Sequence, residues 1–579
     1  MALRRRKERG SILMITMVVL LIAAVVATGL ASLAVYEFGD VARYEIYKNE
    51  FEVAEAVLAK VYAEITFLVE YSAPTLSTQL ASIRPPVFNG YTVKNLTIRE
   101  IFNGNQTVTD PSSPLKGLQI QLIRYRVTAQ VHQNSSTSKR FKHPGVELKQ
   151  DLELRYFPLH LFAIFYSPDL EIHPSTAMEL NGRVHTNGTL YVGSDGGSLK
   201  LKDYVTAVGK ILHRRNPILG LGLAAGNDSF WNGTADVSMW DGSKWIDHDY
   251  AGWATVAQSR WDGHAYDSAH LVTQLVPPIP PFQDSQGNAN AHSLIDRASP
   301  DSPEEAPGTS FRQEKFEYKA GLKIVRDPAT GGVRGYDQSG GPVDLTYPDP
   351  LDPDLTKCIY QETTFYDARE GKIVSSIDIN IGNLIESGKA PENGVLYLSN
   401  EGSDGVVRIV NASRLPVNGQ GGFTIASDDP LYLKGDFNTV NKEYAMVAAD
   451  AISALSNSWK DENSPDYSKR SASETTFNGV FFQGIVPTQI IDGTPRYSGG
   501  LENFFRLLER WQGQTLRGSG SRICLWESQK ARGWWGKASV YDPPTRVWSW
   551  DSMYGGMSGP PGAPHVYHVV RRNWNVRTL

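Results

Sequence analysis

Carboxylates occupy most positions from which this chain could do chemistry. Asp428-Asp429 and Asp436 flank the apolar run Leu431–Leu433, and Asp367 and Glu370 bracket Arg369. Paired carboxylates can serve as acid and base on a glycosidic bond when they face each other across it. Carboxylates beside turn residues more often accept hydrogen bonds from nearby backbone N–H groups, and that is the expectation here. His185 stands in Val184-His185-Thr186-Asn187-Gly188, with Asp195 downstream. A metal centre needs several converging His, Cys, Asp or Glu ligands. A single histidine before Asn-Gly is therefore expected to be a hydrogen-bonded corner. Asp349, Asp352 and Asp354 form a Pro-Asp turn cluster without the spacing of a calcium loop. No zinc spacing, phosphate-cradling loop or nucleophile elbow occurs. The expectation is a protein without catalytic residues, cofactor or metal, and not an enzyme.

Cys358 and Cys524 could form one disulfide in a translocated domain or stay as two buried thiols. The formal net charge is -5, and no long basic tract lies outside Arg4–Arg9. Nucleic-acid binding thus has no electrostatic support. Five tryptophans, Trp231, Trp240, Trp245, Trp253 and Trp261, crowd one stretch. They are expected to fill a small core, with a sugar- or protein-binding platform as the alternative.

The elements that must carry these residues start with Gly10–Tyr36, which holds no charged residue. At about 1.5 Å per residue, a helix of this length outspans a hydrocarbon core of about 30 Å. The basic cluster before it and the acidic residues Glu37 and Asp40 after it predict one membrane helix with a cytoplasmic N-terminus. Beyond it, Val41, Tyr44, Tyr47, Phe51, Ala54, Leu58, Val61, Ile65 and Leu68 recur every three or four residues. That is one stripe of a continuing amphipathic helix, which Pro74 should stop. A cleaved secretory signal ending near Ser32-Leu33-Ala34 is disfavoured by the length of the apolar run. A plain signal anchor fits the same residues.

The basic leader, Arg9-Gly10-Ser11, the apolar helix and the segment Phe51-Glu52-Val53-Ala54-Glu55-Ala56-Val57-Leu58 together resemble the N-terminus of PilX-type minor pilins. The resemblance implies that a prepilin peptidase cuts between Gly10 and Ser11. It also implies an inner-membrane anchor, a body on the periplasmic or extracellular side, and partners among other pilins and pilus assembly proteins. Major pilins carry a glutamate five residues into the mature chain; Ile15 stands there instead.

The expected fold is α+β. A leader (1–10), a transmembrane helix (11–36) and its amphipathic continuation (37–73) precede a small antiparallel sheet module (74–158). Tyr91–Ile101, Leu118–Val131 and Gln150–Phe157 alternate with period two and should be its strands. Phe51, Leu58 and Ile65 should pack the helix onto that sheet. The remainder (159–579) repeats short strands ending in Gly, Asn or Asp, as in 178–192, 423–426, 431–435, 445–452, 476–484 and 521–525. This texture predicts a parallel β-solenoid with Trp-rich and Pro-rich insertions near 227–320, against a β-sandwich with long insertions. Pro277–Ser310 reads as an exposed loop. Asn503–Trp511 (NFFRLLERW) reads as a short amphipathic helix covering the solenoid. The segments 182–192, 365–372, 430–439, 448–459 and 497–511 also resemble the C-terminal regions of large PilX-like proteins, a likeness that implies no chemistry. The functional expectation is a minor or tip pilin, or a pilus assembly protein. A surface polysaccharide-acting solenoid enzyme and an anchored carbohydrate-binding adhesin, each with a surface glycan as partner, are the alternatives.

Overall fold

The computed structural model describes residues 4–72, 76–110, 113–134, 144–223, 226–275, 291–352, 354–402, 404–419 and 421–579, with side chains of the first helix from Ile12 to Val69. That helix, α1 (Arg4–Ser72), is unbroken. Its apolar stretch is long enough to cross a membrane, and the most apolar window is wholly unburied. Further along, Ala54, Val57, Leu58, Val61, Ile65 and Val69 are buried. Their spacing of three and four residues makes the single face that a helix can bury.

That face meets three strands: β1 (Tyr91–Thr107), β2 (Gln119–Gln133) and β3 (Val146–Pro158). Tyr125, Val127, Ala129 and Val131 of β2 and Leu148, Leu152 and Leu154 of β3 share one apolar cluster with the helix stripe. The sheet is antiparallel and has a fourth member, His565–Thr578, at the end of the chain. It pairs with β3 from Val146↔Thr578 to Pro158↔His565. A module boundary at 158 therefore omits a quarter of the sheet. Local alternation shows that a segment is a strand but carries no information about which distant strand it joins.

The body is built from parallel ladders. In the longest sheet the order runs Leu322–Arg326, Val395–Ser399, Gly422–Ser427, Tyr444–Ala449, Thr475–Gln483, Thr515–Cys524, Ile164–Tyr166, Val184–Thr186, Val205–Ala207 and Ala265–Tyr266, each pair parallel. A second sheet takes the intervening strands Gly405–Val410, Leu431–Lys434, Ile452–Leu455 and Arg506–Leu507, also parallel. The chain thus alternates between two sheets as it advances. The early part, 164–231, instead visits three sheets in rotation. The two parts join where Thr515–Cys524 pairs with Ile164–Tyr166 in the register Arg522↔Ile164, Ile523↔Phe165 and Cys524↔Tyr166.

The long sheet is buried on both faces. Leu396 and Leu398 point into the cluster between the sheets, whereas Val395 and Tyr397 point into a second cluster formed with Ala291, Leu294, Phe311 and Phe316. Two-sided burial explains why runs such as Tyr444–Ala449 are apolar throughout rather than alternating.

Two expectations are corrected here. Pro277–Ser310 is not simply an exposed loop: in its described part, Ala291–Leu294 form a 3-10 turn with Ala291, His292 and Leu294 buried. Asn503–Trp511 is not an amphipathic helix. It holds the end of a 3-10 turn, Leu501–Asn503, and the short strand Arg506–Leu507. Phe504, Phe505, Leu507, Leu508 and Trp511 are all buried, with Leu508 in a different cluster from the others. A helix buries one stripe; neighbouring residues entering separate clusters require an extended chain.

Candidate functional site

The anchor end comes first. Gly10 and Ser11 both lie within the backbone of α1. Leu58 and Ile65 are buried under the sheet, and Phe51 is half-buried at the edge of the same cluster. The Phe51 ring stacks on Tyr47 at 6.5 Å and meets Trp574 of the C-terminal strand at 5.9 Å. Glu50 is buried among them, and its Oε1 accepts the Gln133 backbone N–H at 2.8 Å. That bond ties the last residue of β2 to the helix. A charged-group hydrogen bond of this kind is worth about 1.5–3 kcal/mol.

The carboxylates weighed as an acid–base pair fall into two places. Asp367, Glu370, Asp428 and Asp429 gather at the corner where the chain crosses between the two main sheets. Asp367 is fully enclosed; its Oδ1 accepts the N–H groups of Arg369 and Glu370, and its Oδ2 accepts the Tyr432 hydroxyl. Glu370 accepts the Gly533 N–H at 2.9 Å and pairs with Arg506. Asp429 accepts the Asn400 N–H, and Lys530 Nζ lies 2.8 Å from Asp429 and 3.1 Å from Asp428. Burial first, and then the Asp428 charge, push the Asp429 carboxyl up. Burial disfavours the Lys530 ammonium, yet the two aspartates hold its pKa above the ordinary lysine value. Asp436 lies apart, accepting the Thr476 N–H at 2.8 Å.

Sequence reasoning did not find the group that organises this corner, Asp450. It is buried, and it accepts hydrogen bonds from Gln529 N–H at 2.6 Å, Ala531 N–H at 2.9 Å and Ser528 Oγ at 2.7 Å. His292 Nε2 lies 3.0 Å from it, and His292 Nδ1 lies 2.7 Å from Asp296. Burial opposes the charged imidazole, but both carboxylates outweigh it and raise His292 to about 9. A buried ion pair thereby bolts the 291–296 insertion to the ladder corner. The only local signal was Ala449-Asp450-Ala451, an aspartate inside an apolar run, where a buried charge needs a partner.

A cavity of about 220 Å3 opens beside this corner, lined by Glu370, Lys372, Tyr432, Lys530, Val374 and Val406. Lys372 pairs with Asp404 at 2.9 Å. Apart from Asp428 Oδ1, which is buried with no hydrogen-bond partner among the described residues, the carboxylate oxygens named here are taken up by backbone N–H groups, a tyrosine hydroxyl, lysine and arginine, which suits holding turns in place.

His185 lies elsewhere, fully buried in the ladder core between Phe162 and Phe165. Its Nδ1 is 2.8 Å from Thr206 Oγ1 and its Nε2 is 3.1 Å from Asn187 Oδ1. Burial lowers its pKa to about 4, so it is neutral at pH 7. Asp195 pairs with Arg215 at 2.6 Å. Asp349 accepts the Leu351 N–H at 2.9 Å and pairs with Lys357 at 3.2 Å, while Asp352 accepts the Asp354 N–H at 3.3 Å. Among the described residues no group of His, Cys, Asp or Glu is placed to hold a metal ion. Cys358 and Cys524 are both free thiols, so the disulfide alternative is corrected. Cys524 is enclosed in the core, and burial raises its pKa.

Of the five tryptophans, Trp253 and Trp261 are buried, and Trp253 Nε1 donates to Asp267 Oδ1 at 2.9 Å. Trp240 is exposed but meets Trp245 at an interplanar angle of 62°, so these two rings offer no common flat face.

No protein-family model matches the chain, and no curated protein matches it. Among solved structures, the competence-associated pilin ComZ from Thermus thermophilus aligns over 92% of this chain and 98% of its own, at 12% identity and a TM-score of 0.31. At that TM-score the likeness carries no argument about function.

Proposed function

We propose that this protein is a membrane-anchored, pilin-like subunit or assembly protein of a type IV pilus or a related filament. It would carry on the far side of the membrane a large non-catalytic body that we read as a parallel β-solenoid. One observation carries this reading. A single helix has an unburied, charge-free stretch over Ile12–Tyr36 and a later part seated on an antiparallel sheet. The unburied stretch needs a lipid or helical environment, because exposing so many large apolar side chains to water is unfavourable. The basic residues before it favour a cytoplasmic N-terminus. The size of the body suits a minor or tip position over a densely repeated one.

N-terminal sequencing of the protein recovered from producing cells tests the reading. The expected first residue is Ser11, and Gly10→Glu should leave the leader attached. A chain that begins at Met1 or Val35 would overturn the pilin-like processing.

A further inference from the structure

On the sheet face turned away from α1, charged side chains replace the apolar ones. Arg124 of β2 stands opposite Glu153 of β3, and Arg126 opposite Asp151. At one end of this face lies an open cleft of about 420 Å3, lined by Arg124, Arg155, Arg572, Glu153, Asp110 and Asn573, with Thr107 and Thr109 beside them. Three guanidiniums converge on one carboxylate. Arg124 Nη2 is 2.7 Å from Glu153 Oε1, Arg572 Nε is 3.1 Å from Glu153 Oε2, and Arg155 Nη2 is 3.3 Å from the same oxygen. Arg572 also reaches Asp110 at 3.2 Å.

The balance within the cleft is three arginines against two carboxylates, Glu153 and Asp110. Arg155 is the least served. It is 3% exposed, its Nη1 donates to Ser113 Oγ at a long 3.3 Å, and its Nε–H has no partner among the described residues. Burial, and then the nearby Arg572 charge, depress its pKa. A buried guanidinium that shares its one carboxylate partner with two other arginines is costly, and an anion in the cleft relieves that imbalance of charge. Arg124 and Arg572, with side chains 30% and 31% exposed, leave their outer edges open to the cleft. Fork-shaped guanidiniums match carboxylate and phosphate oxygens.

We propose that the Arg124–Arg155–Arg572 cleft binds one oxyanion, a carboxylate or a phosphoryl group, carried on a small hydroxylated molecule such as an acidic sugar. The guanidiniums take the charge. The threonine hydroxyls and the Asn573 amide offer hydrogen bonds to the hydroxyl groups. The cleft has the volume for a monosaccharide unit, because binding pockets start at about 300 Å3. The cleft takes no part in the processing of the helix or in the polar corner of the body.

The test is calorimetric titration of the full chain in a non-ionic detergent, with inorganic phosphate, D-glucuronate and neutral D-glucose as probes. Binding of phosphate alone identifies a phosphoryl ligand, binding of glucuronate alone a carboxylate, and binding of both a general oxyanion site; glucose should not bind. Arg572→Gln should weaken binding roughly tenfold through one lost charge-assisted contact. Arg126→Gln, on the same face but outside the cleft, should leave it unchanged. If Arg572→Gln fails to fold, Arg124→Gln serves in its place. The proposal is overturned if neither anion binds at millimolar concentration. It is also overturned if glucose binds as well as glucuronate, if the cleft variant binds like wild type, or if Arg126→Gln weakens binding equally.

Discussion

The ring of Phe51, in the first helix, lies 5.9 Å from that of Trp574, in the last strand. The later part of the first helix and the last strand therefore belong to one module, with the whole body inserted between β3 and the C-terminal strand. Val566 and Val569 of that strand are buried, and it satisfies one edge of β3 along its length. Deleting 565–579 should expose this edge and unfold the helix-bearing module. Hydrogen exchange across Val146–Pro158 checks this. Protection equal to that of the full chain would show that the three remaining strands suffice.

Leu58 is 4% exposed beneath the sheet. Leu58→Ala should cost about 2–5 kcal/mol, the usual range for a core leucine cut to alanine. Leu58→Asp should prevent the module from folding, because it buries an unpaired charge. Urea denaturation followed by tryptophan fluorescence gives the comparison. An unchanged midpoint for Leu58→Ala would mean that the helix does not depend on the sheet.

His292, Asp296 and Asp450 give the body a signed pH dependence. The His292 pKa is raised from 6.5 to about 9, so its contribution is complete below pH 6.5 and is lost as pH rises through 9. The loss should be at most about 3 kcal/mol. Asp450 is lowered from 3.8 to about 2, mainly by His292 acting against its own burial. Its contribution is present above pH 3.8 and is lost as pH falls through 2. His292→Gln should flatten the alkaline limb of the melting-temperature profile. A variant whose alkaline limb keeps the wild-type slope would remove His292 from this role.

Gly520 faces Gly479 on the neighbouring strand at φ +115°, and a Cβ there would sit 2.0 Å from the Gly479 carbonyl oxygen. Gly520→Ala should destabilise the body by about 3 kcal/mol, through overpacking and a backbone angle unsuited to alanine. A thermal melt showing no shift would mean that the two strands separate at little cost.

The long helix and the first three strands were legible in the sequence, because each depends on a period that repeats within a few residues. A step of three or four marked the buried face of α1 from Phe51 onward, although Val41 and Tyr44 of the same stripe are exposed, and a step of two marked β1, β2 and β3. The strand-and-corner texture of the body was legible for the same reason, down to the turn carboxylates at Asp367 and Asp429. Where burial came from two sides, the local pattern misled: Asn503–Trp511 has helical spacing, yet Leu507 and Leu508 enter separate cores. Only the tertiary structure decided which strands meet. Nothing local links Cys524 to Tyr166, β3 to His565–Thr578, or His292 to Asp450. Three arginines from three strands became one cleft only through the register of the sheet. Backbone hydrogen bonds accept any partner strand, so pairing between distant segments is chosen by the packing of the whole chain.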